Sequence, residues 1–114
     1  MKIFFEPEYV IEVADSALGL KGILVIDNTV LGPGKGGIRM TSTVTTEEVK
    51  RLARTMTWKN ALSGLPFGGA KAGMVWSGAD VKLKQAQVQS FARALKPFLI
   101  KKYIAGPDVN SGER

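Results

Sequence analysis

The segment that decides the fold runs from residue 45 to residue 76 and reads TTEEVKRLARTMTWKNALSGLPFGGAKAGMVW. Thr45 and Glu48 have the spacing of a capping box, in which each side chain satisfies a free amide at the start of a helix. One face of this predicted helix collects Val49, Leu52, Ala53, Met56 and Asn60, and the other carries Lys50, Arg51 and Arg54. The first half of the segment therefore predicts an amphipathic helix.

The second half of the segment predicts a turn and a strand. Gly64 and Pro66 are typical of a helix end. A glycine-rich loop then leads to an apolar run over residues 72–76, which ends at Ser77 and Gly78. We expect a buried strand there.

Further strands are predicted on both sides of this segment, over residues 9–13, 22–26, 38–43 and 103–105. A second helix is predicted over residues 83–99, with a buried stripe of Val88, Phe91, Ala92, Leu95 and Phe98 or Leu99. Pro97 should tighten or end its last turn. Strands that alternate with helices predict an α/β fold, a single domain over residues 1–114 with a mixed β-sheet flanked by helices.

The composition excludes several chemistries. The 114 residues contain no His and no Cys, and 16 Lys and Arg against 10 Asp and Glu give a formal net charge of +6. Disulfides, thiolate nucleophiles, imidazole bases and the usual zinc sites are therefore ruled out, and we expect no metal. Any proton transfer must use Lys, Asp, Glu or Tyr.

The charge and the hydropathy pattern also limit location and partners. Glu6 and Pro7 come too early for a secretory signal, and no apolar run reaches the length of a membrane span, so we expect a cytoplasmic protein without membrane contact. The basic residues are scattered and do not alternate with aromatic ones. We therefore expect no binding to nucleic acid.

Two glycine motifs resemble phosphate-binding loops without meeting their requirements. Gly32, Gly34 and Gly37 have the spacing of a dinucleotide fingerprint, but an extended segment follows them where that motif needs a helix. Residues 64–71 approach a P-loop but have one residue too many and no Ser or Thr after Lys71. We interpret both as false matches.

Three lysines stand in apolar or glycine-rich surroundings outside any charge run: Lys35, Lys59 and Lys71. If their ammonium groups converge, they form a pocket for carboxylates, and crowding favours the neutral amine of one of them as a base. The alternative is that each lysine extends to solvent. Asp108 follows a predicted strand and is the candidate acid, or else an ordinary turn residue.

Four strings around these residues resemble the N-terminal domain of the glutamate/leucine/phenylalanine/valine dehydrogenases: KGGIR at 35–39, MTWKNA at 56–61, LPFGGAKAG at 65–73 and AGPDVN at 105–110. The resemblance covers residues 7–114. It implies a substrate-binding and oligomerisation domain of an oxidoreductase. That family converts an L-amino acid reversibly to a 2-oxo acid and ammonia.

The resemblance also implies roles for single residues. The catalytic pair falls on Lys71, whose amine would activate the attacking water, and on Asp108, which would shuttle a proton at the substrate nitrogen. Lys59 would bind the main-chain carboxylate of the substrate and Lys35 its side-chain carboxylate. Gly36 and Met56 complete the implied substrate-binding set.

The chain departs from the family in one large respect, because the Rossmann domain that follows this segment in the family is absent from these 114 residues. The parent enzyme would use NAD or NADP, no cofactor should bind tightly to this chain, and the chain alone should be inactive. Homo-oligomers are expected.

Two substrate classes stay open. Lys35 favours glutamate, whereas residues 28–33 and Met40 resemble the branched-chain and aromatic members. A non-catalytic interaction module with a vestigial site is the other alternative.

Overall fold

The computed structural model describes residues 6–99 and 101–106. Along the chain they form β1 (Tyr9–Asp15), β2 (Leu20–Asn28), β3 (Gly34–Thr41), α1 (Thr46–Leu62), β4 (Gly68–Val75), α2 (Val81–Leu95), a 3-10 turn (Lys96–Phe98) and β5 (Tyr103–Gly106). No helix among these residues has the length and apolar character needed to cross a membrane.

The five strands form one sheet in the order β1-β2-β4-β3-β5. β2 is antiparallel to both β1 and β4, whereas β3 is parallel to both β4 and β5. Parallel neighbours need a long crossover, and α1 supplies the one between β3 and β4. The predicted α/β fold with a mixed sheet is confirmed.

The two helices cover opposite faces of the sheet. On one face Val25 of β2 packs with Val49 and Ala53 of α1. On the other face the neighbouring Ile26 packs in a larger cluster with Phe91 of α2. Side chains alternate across a strand, so a strand between two helices is apolar on both sides, and β2 and β4 are buried almost throughout.

The start of α1 differs in one detail from the predicted capping box. The Thr45 hydroxyl accepts a hydrogen bond from the Glu48 amide at 3.1 Å, as expected. The Glu48 carboxylate, however, accepts a hydrogen bond from Arg39 of β3 at 3.1 Å. This contact ties the first turn of α1 to the sheet. The helix ends as predicted, with Gly64 at a φ of 71°.

The second helix is shorter than predicted. α2 ends at Leu95, and Pro97 lies in the 3-10 turn that follows, so its predicted effect on the last turn is confirmed. Ala92 is exposed, so its predicted place in the buried stripe is wrong. Gln87 takes part in that stripe instead: its side-chain nitrogen donates to the Leu18 carbonyl at 2.7 Å, while its side-chain oxygen is buried without a hydrogen-bond partner among the described residues.

Glycines in β4 let α1 lie directly on the strand. A Cβ atom added to Gly69 would lie 2.2 Å from the Thr57 amide nitrogen and 2.5 Å from the Ala53 carbonyl oxygen. A Cβ on Gly73 would lie 2.8 Å from a methyl group of Val49. The helix backbone therefore occupies space that any side chain at position 69 would need.

Replacement of Gly69 by alanine should push α1 away from the sheet. We expect Gly69→Ala to lower the free energy of unfolding by about 1–3 kcal/mol, as overpacking does in well-packed cores. Gly78→Ala is the matched control, because its added Cβ would meet neighbours only at 3.6 Å. Urea denaturation of both variants measures the difference, and equal stabilities would contradict this packing.

Candidate active site

Lys71 lies at the centre of the candidate site, in the middle of β4. Gly69 lies two residues before it and Gly73 two residues after it. Every second residue of a strand points to the same side, so all three share the face that α1 covers. The side chain therefore leaves the strand between two glycines and beneath a helix. Lys71 is 7% exposed, which is unusual for a lysine.

Lys35 begins on the neighbouring strand at the same level. In the parallel pair of β3 and β4, Lys35 lies opposite Gly69, two residues from Lys71. Residues in register on adjacent strands point to the same face of a sheet, so both lysines start from the face of α1. Lys35 is half-buried, and its Nζ lies 4.9 Å from the centre of the Phe67 ring.

Gly36 and Met56 meet at the next position of β3. A Cβ atom on Gly36 would lie 3.4 Å from Cγ of Met56 and only 1.6 Å from the Ala70 carbonyl oxygen. Only glycine fits there, and its small size allows Met56 to pack over the strand. The structure thus brings these two predicted substrate-binding residues together beside Lys35.

Asn60 fixes the end of α1 over this part of the sheet. Its side-chain nitrogen donates to the Gly68 carbonyl at 2.7 Å and to the Lys35 carbonyl at 3.4 Å. The sequence pattern placed Asn60 on the buried face but did not reveal this bridging role. A polar residue within an apolar helical stripe is the signal, because buried amides need partners.

Two predicted site residues remain, Lys59 and Asp108. Lys59, next to Asn60 in the last turn of α1, is exposed to solvent. Asp108, the predicted catalytic acid, lies outside the described residues. The described part of the predicted site therefore consists of two half-buried or buried lysines, one exposed lysine and the Gly36–Met56 contact.

A buried ion pair on the same face was missed by the sequence analysis. Asp27 of β2 is 4% exposed, and Arg54 of α1 binds both of its carboxylate oxygens, at 2.8 and 3.0 Å. The Thr57 hydroxyl donates to the same carboxylate at 2.6 Å. The predicted outward position of Arg54 is therefore wrong, because the guanidinium turns toward the sheet to neutralise a buried charge.

The pair also changes the arginine itself. The hydrogen bond to Asp27 raises the pKa of Arg54, burial acts in the opposite direction, and the attraction of the carboxylate charge raises it further. The available signal for this buried pair was Asp27 itself, because an acidic residue directly after the apolar run of β2 needs a partner if it is buried. The cluster fastens the middle of α1 to β2.

The glycine motifs do not form a dinucleotide site. Gly34 and Gly37 lie within β3, and the next helix begins only at Thr46. The near P-loop at residues 64–71 leads into β4, again a strand. Both motifs need a helix N-terminus directed at the phosphates, so these residues do not fit NAD or NADP.

The described residues thus form a glycine-rich mixed α/β sheet in which Lys35 and Lys71 start from the face that α1 covers. Residues 7–114 match the family described as the Glu/Leu/Phe/Val dehydrogenase dimerisation domain. The chain therefore belongs to the Glu/Leu/Phe/Val dehydrogenase family.

Two characterised relatives illustrate the range of the family. The chain is 36% identical over 111 residues to the leucine dehydrogenase of Geobacillus stearothermophilus, covering 94% of this chain and 30% of the relative. It is 35% identical over 116 residues to the NADP-specific glutamate dehydrogenase of Saccharolobus shibatae, covering 93% of this chain and 27% of the relative. The chain thus spans less than a third of either enzyme.

Solved structures agree with this assignment. The glutamate dehydrogenase of Peptoniphilus asaccharolyticus superposes with a TM-score of 0.84 at 33% identity, over 94% of this chain and 30% of that one. The hetero-hexameric glutamate dehydrogenase of Thermus thermophilus, in its leucine-bound form, superposes with a TM-score of 0.82 at 30% identity, over 92% and 28%.

Loss of Arg54 should expose how much the buried pair contributes. We expect Arg54→Met to lower the free energy of unfolding by about 2–3 kcal/mol, because it leaves the buried Asp27 carboxylate with one hydrogen-bond partner fewer. Arg51→Met, at an exposed position of the same helix, should change it by less than about 0.5 kcal/mol.

The double variant with Asp27→Asn tests whether the two side chains act as a pair. Its cost should be smaller than the sum of the two single costs, because the partner charge is removed together with the arginine. Denaturation curves of all four proteins supply the comparison, and strict additivity would contradict the pair.

Proposed function

We propose that this chain forms the substrate-binding and subunit-contact part of an NAD(P)-dependent amino-acid dehydrogenase that acts on L-glutamate. The observation that carries the proposal is the placement of Lys35 and Lys71 on adjacent strands under α1, within a family of amino-acid dehydrogenases. Both a glutamate and a leucine dehydrogenase are among the relatives, so the choice of substrate depends on the site itself.

The half-buried position of Lys35 supports glutamate. A substrate with a second carboxylate gains a charge-assisted hydrogen bond there, whereas an apolar side chain would desolvate the ammonium and offer it no hydrogen-bond acceptor. The family resemblance implies that the leucine and phenylalanine dehydrogenases carry an apolar residue at the position of Lys35. Lys59, which is exposed in the last turn of α1, would bind the main-chain carboxylate that every amino acid carries.

The proposed chemistry of the chain is binding and proton transfer. Lys71 would take a proton from the water that attacks the imino carbon, and Asp108 would exchange a proton with the substrate nitrogen. The described residues do not fit a dinucleotide, so we expect no NAD-dependent oxidation of glutamate by the chain alone.

We also propose that the chain associates with copies of itself, as the description of its family as a dimerisation domain suggests. β1 is an edge strand of the sheet, and Val10 on it is 42% exposed. An open edge with an apolar side chain is suited to contacts between subunits. Phe4 and Phe5, which the sequence also suggested for this role, lie outside the described residues.

Binding of 2-oxo acids tests the substrate assignment directly. We expect 2-oxoglutarate to bind the chain with low affinity. Its affinity should nevertheless exceed that of 4-methyl-2-oxopentanoate, the keto acid of leucine. Lys59→Met should lower the affinity for both by about tenfold or more, because each loses its carboxylate partner. Lys35→Met should weaken only 2-oxoglutarate.

Titration calorimetry measures these affinities, and Lys82→Met, at an exposed position of α2, is the control for loss of a positive charge. Equal binding of the two oxo acids by the wild-type chain would contradict the glutamate assignment.

Complementation separates an enzyme part from an interaction module. The segment of the Saccharolobus shibatae enzyme that this chain does not match should restore NADP-dependent glutamate oxidation when mixed with the chain. Lys71→Ala should then reduce the rate by about 10²–10⁴, the range expected for loss of an acid–base group. Lys82→Ala should leave the rate unchanged. Restored activity that survives Lys71→Ala would contradict the catalytic assignment.

A further inference from the structure

We propose that Phe67 is a positioning residue for substrate selection: its ring holds the Lys35 ammonium in place for the distal carboxylate of a dicarboxylic substrate. The inference rests on the proposed function, in which Lys35 binds that carboxylate. It adds the residue that makes a flexible side chain selective. Three features of the structure lead to it.

The first feature is the contact between the two side chains. Nζ of Lys35 lies 4.9 Å from the centre of the Phe67 ring, within the range in which an ammonium is attracted to an aromatic face. The ring occupies one side of the ammonium. A lysine ammonium has three N–H donors, so donors remain on the other side for a carboxylate.

The second feature is that the backbone at both ends of this contact is fixed. The Lys35 carbonyl accepts a hydrogen bond from the Asn60 side chain, and β3 pairs with β4 and β5 at this residue. Phe67 precedes Gly68, whose amide donates to the carbonyls of Gly32 and Pro33 at 3.2 and 3.0 Å. The lysine and the ring therefore start from backbone positions that cannot move apart freely.

The third feature is the conformational freedom that the contact removes. A lysine side chain has four rotatable bonds, and ordering it on binding costs free energy that reduces affinity. A ring that already holds the ammonium lowers this cost before the substrate arrives. Phe67 is half-buried, so it also keeps water from one side of the charge and strengthens its attraction for a carboxylate.

The consequence is a specific division of labour between residues. Removal of the ring should weaken only ligands that use Lys35, because Lys59 and the main-chain carboxylate are not involved. 2-Oxoglutarate and 2-oxopentanoate are a suitable pair of probes, since they have the same chain length and differ in the distal carboxylate. The ratio of their affinities measures how much Lys35 and Phe67 together contribute to binding of the distal carboxylate.

The experiment combines NMR and titration on the 114-residue chain. In the wild-type chain the Lys35 side-chain protons nearest Nζ should be shifted upfield by the ring. Phe67→Leu should abolish this shift and weaken 2-oxoglutarate about two- to fivefold, the worth of a partly exposed cation–π contact, while 2-oxopentanoate binds as before. Phe67→Tyr, which keeps a ring, should retain both the upfield shift and the affinity for 2-oxoglutarate of the wild-type chain.

Leu65→Ala is the matched control, because it removes an exposed apolar side chain from the same loop without touching Lys35. It should alter neither the shift nor the affinity ratio. Unchanged binding of 2-oxopentanoate by Phe67→Leu also shows that the variant is folded.

Two results would overturn the inference, and they differ. If 2-oxoglutarate binds the wild-type chain and Phe67→Leu binds it equally well, Phe67 has no positioning role while the proposed function stands. If neither oxo acid binds the wild-type chain, the proposed function fails, and the role of Phe67 fails with it. An upfield shift that persists in Phe67→Leu would also refute the role of the ring.

Discussion

The contact of α1 with the glycine side of β4 is the constraint on which the site depends. At Gly69 the backbone of α1 occupies the space that a side chain would need, and at Gly73 a methyl group of Val49 does; Lys71, between them, lies on the same face and is buried. A larger residue at either position would separate the two elements. The helix would then carry two of the predicted site residues, Met56 and Lys59, away from the strand that holds Lys71.

Polar side chains fix the helix in this position. Arg54 binds Asp27 under the middle of α1, and Asn60 binds two main-chain carbonyls near its end. Apolar packing alone allows small shifts along a sheet, whereas hydrogen bonds of fixed geometry do not. The helix is therefore anchored at separate points along its length, on β2 and on the beginnings of β3 and β4.

The sequence predicted the fold well because its signals are local. The Thr45 cap, the Gly64 end and the apolar runs of the strands each depend on a few neighbouring residues. The orientation of Arg54 was predicted wrongly, since helical periodicity assigns a basic residue to solvent and takes no account of a carboxylate 27 positions earlier. The contact of Lys35 with Phe67 also joins distant positions, and no local pattern contains it.

The predicted lysines were found by composition rather than by geometry. A lysine among glycines stands out in a sequence, and two of the three, Lys35 and Lys71, begin on the same face of the sheet. Their placement follows from strand register, which is set only when β3 and β4 pair. Sequence spacing alone could not exclude that each side chain simply extends into solvent, as Lys59 does.

The bond from Asn60 to the carbonyl of residue 35 has a consequence for how such domains diverge. The bond reaches the main chain, so it is indifferent to the side chain that position 35 carries. An ancestor could exchange the lysine for an apolar residue, or the reverse, and keep the same backbone and the buried Lys71 on the neighbouring strand. A change of substrate specificity, from acidic to aliphatic amino acids, then requires few substitutions and no new fold.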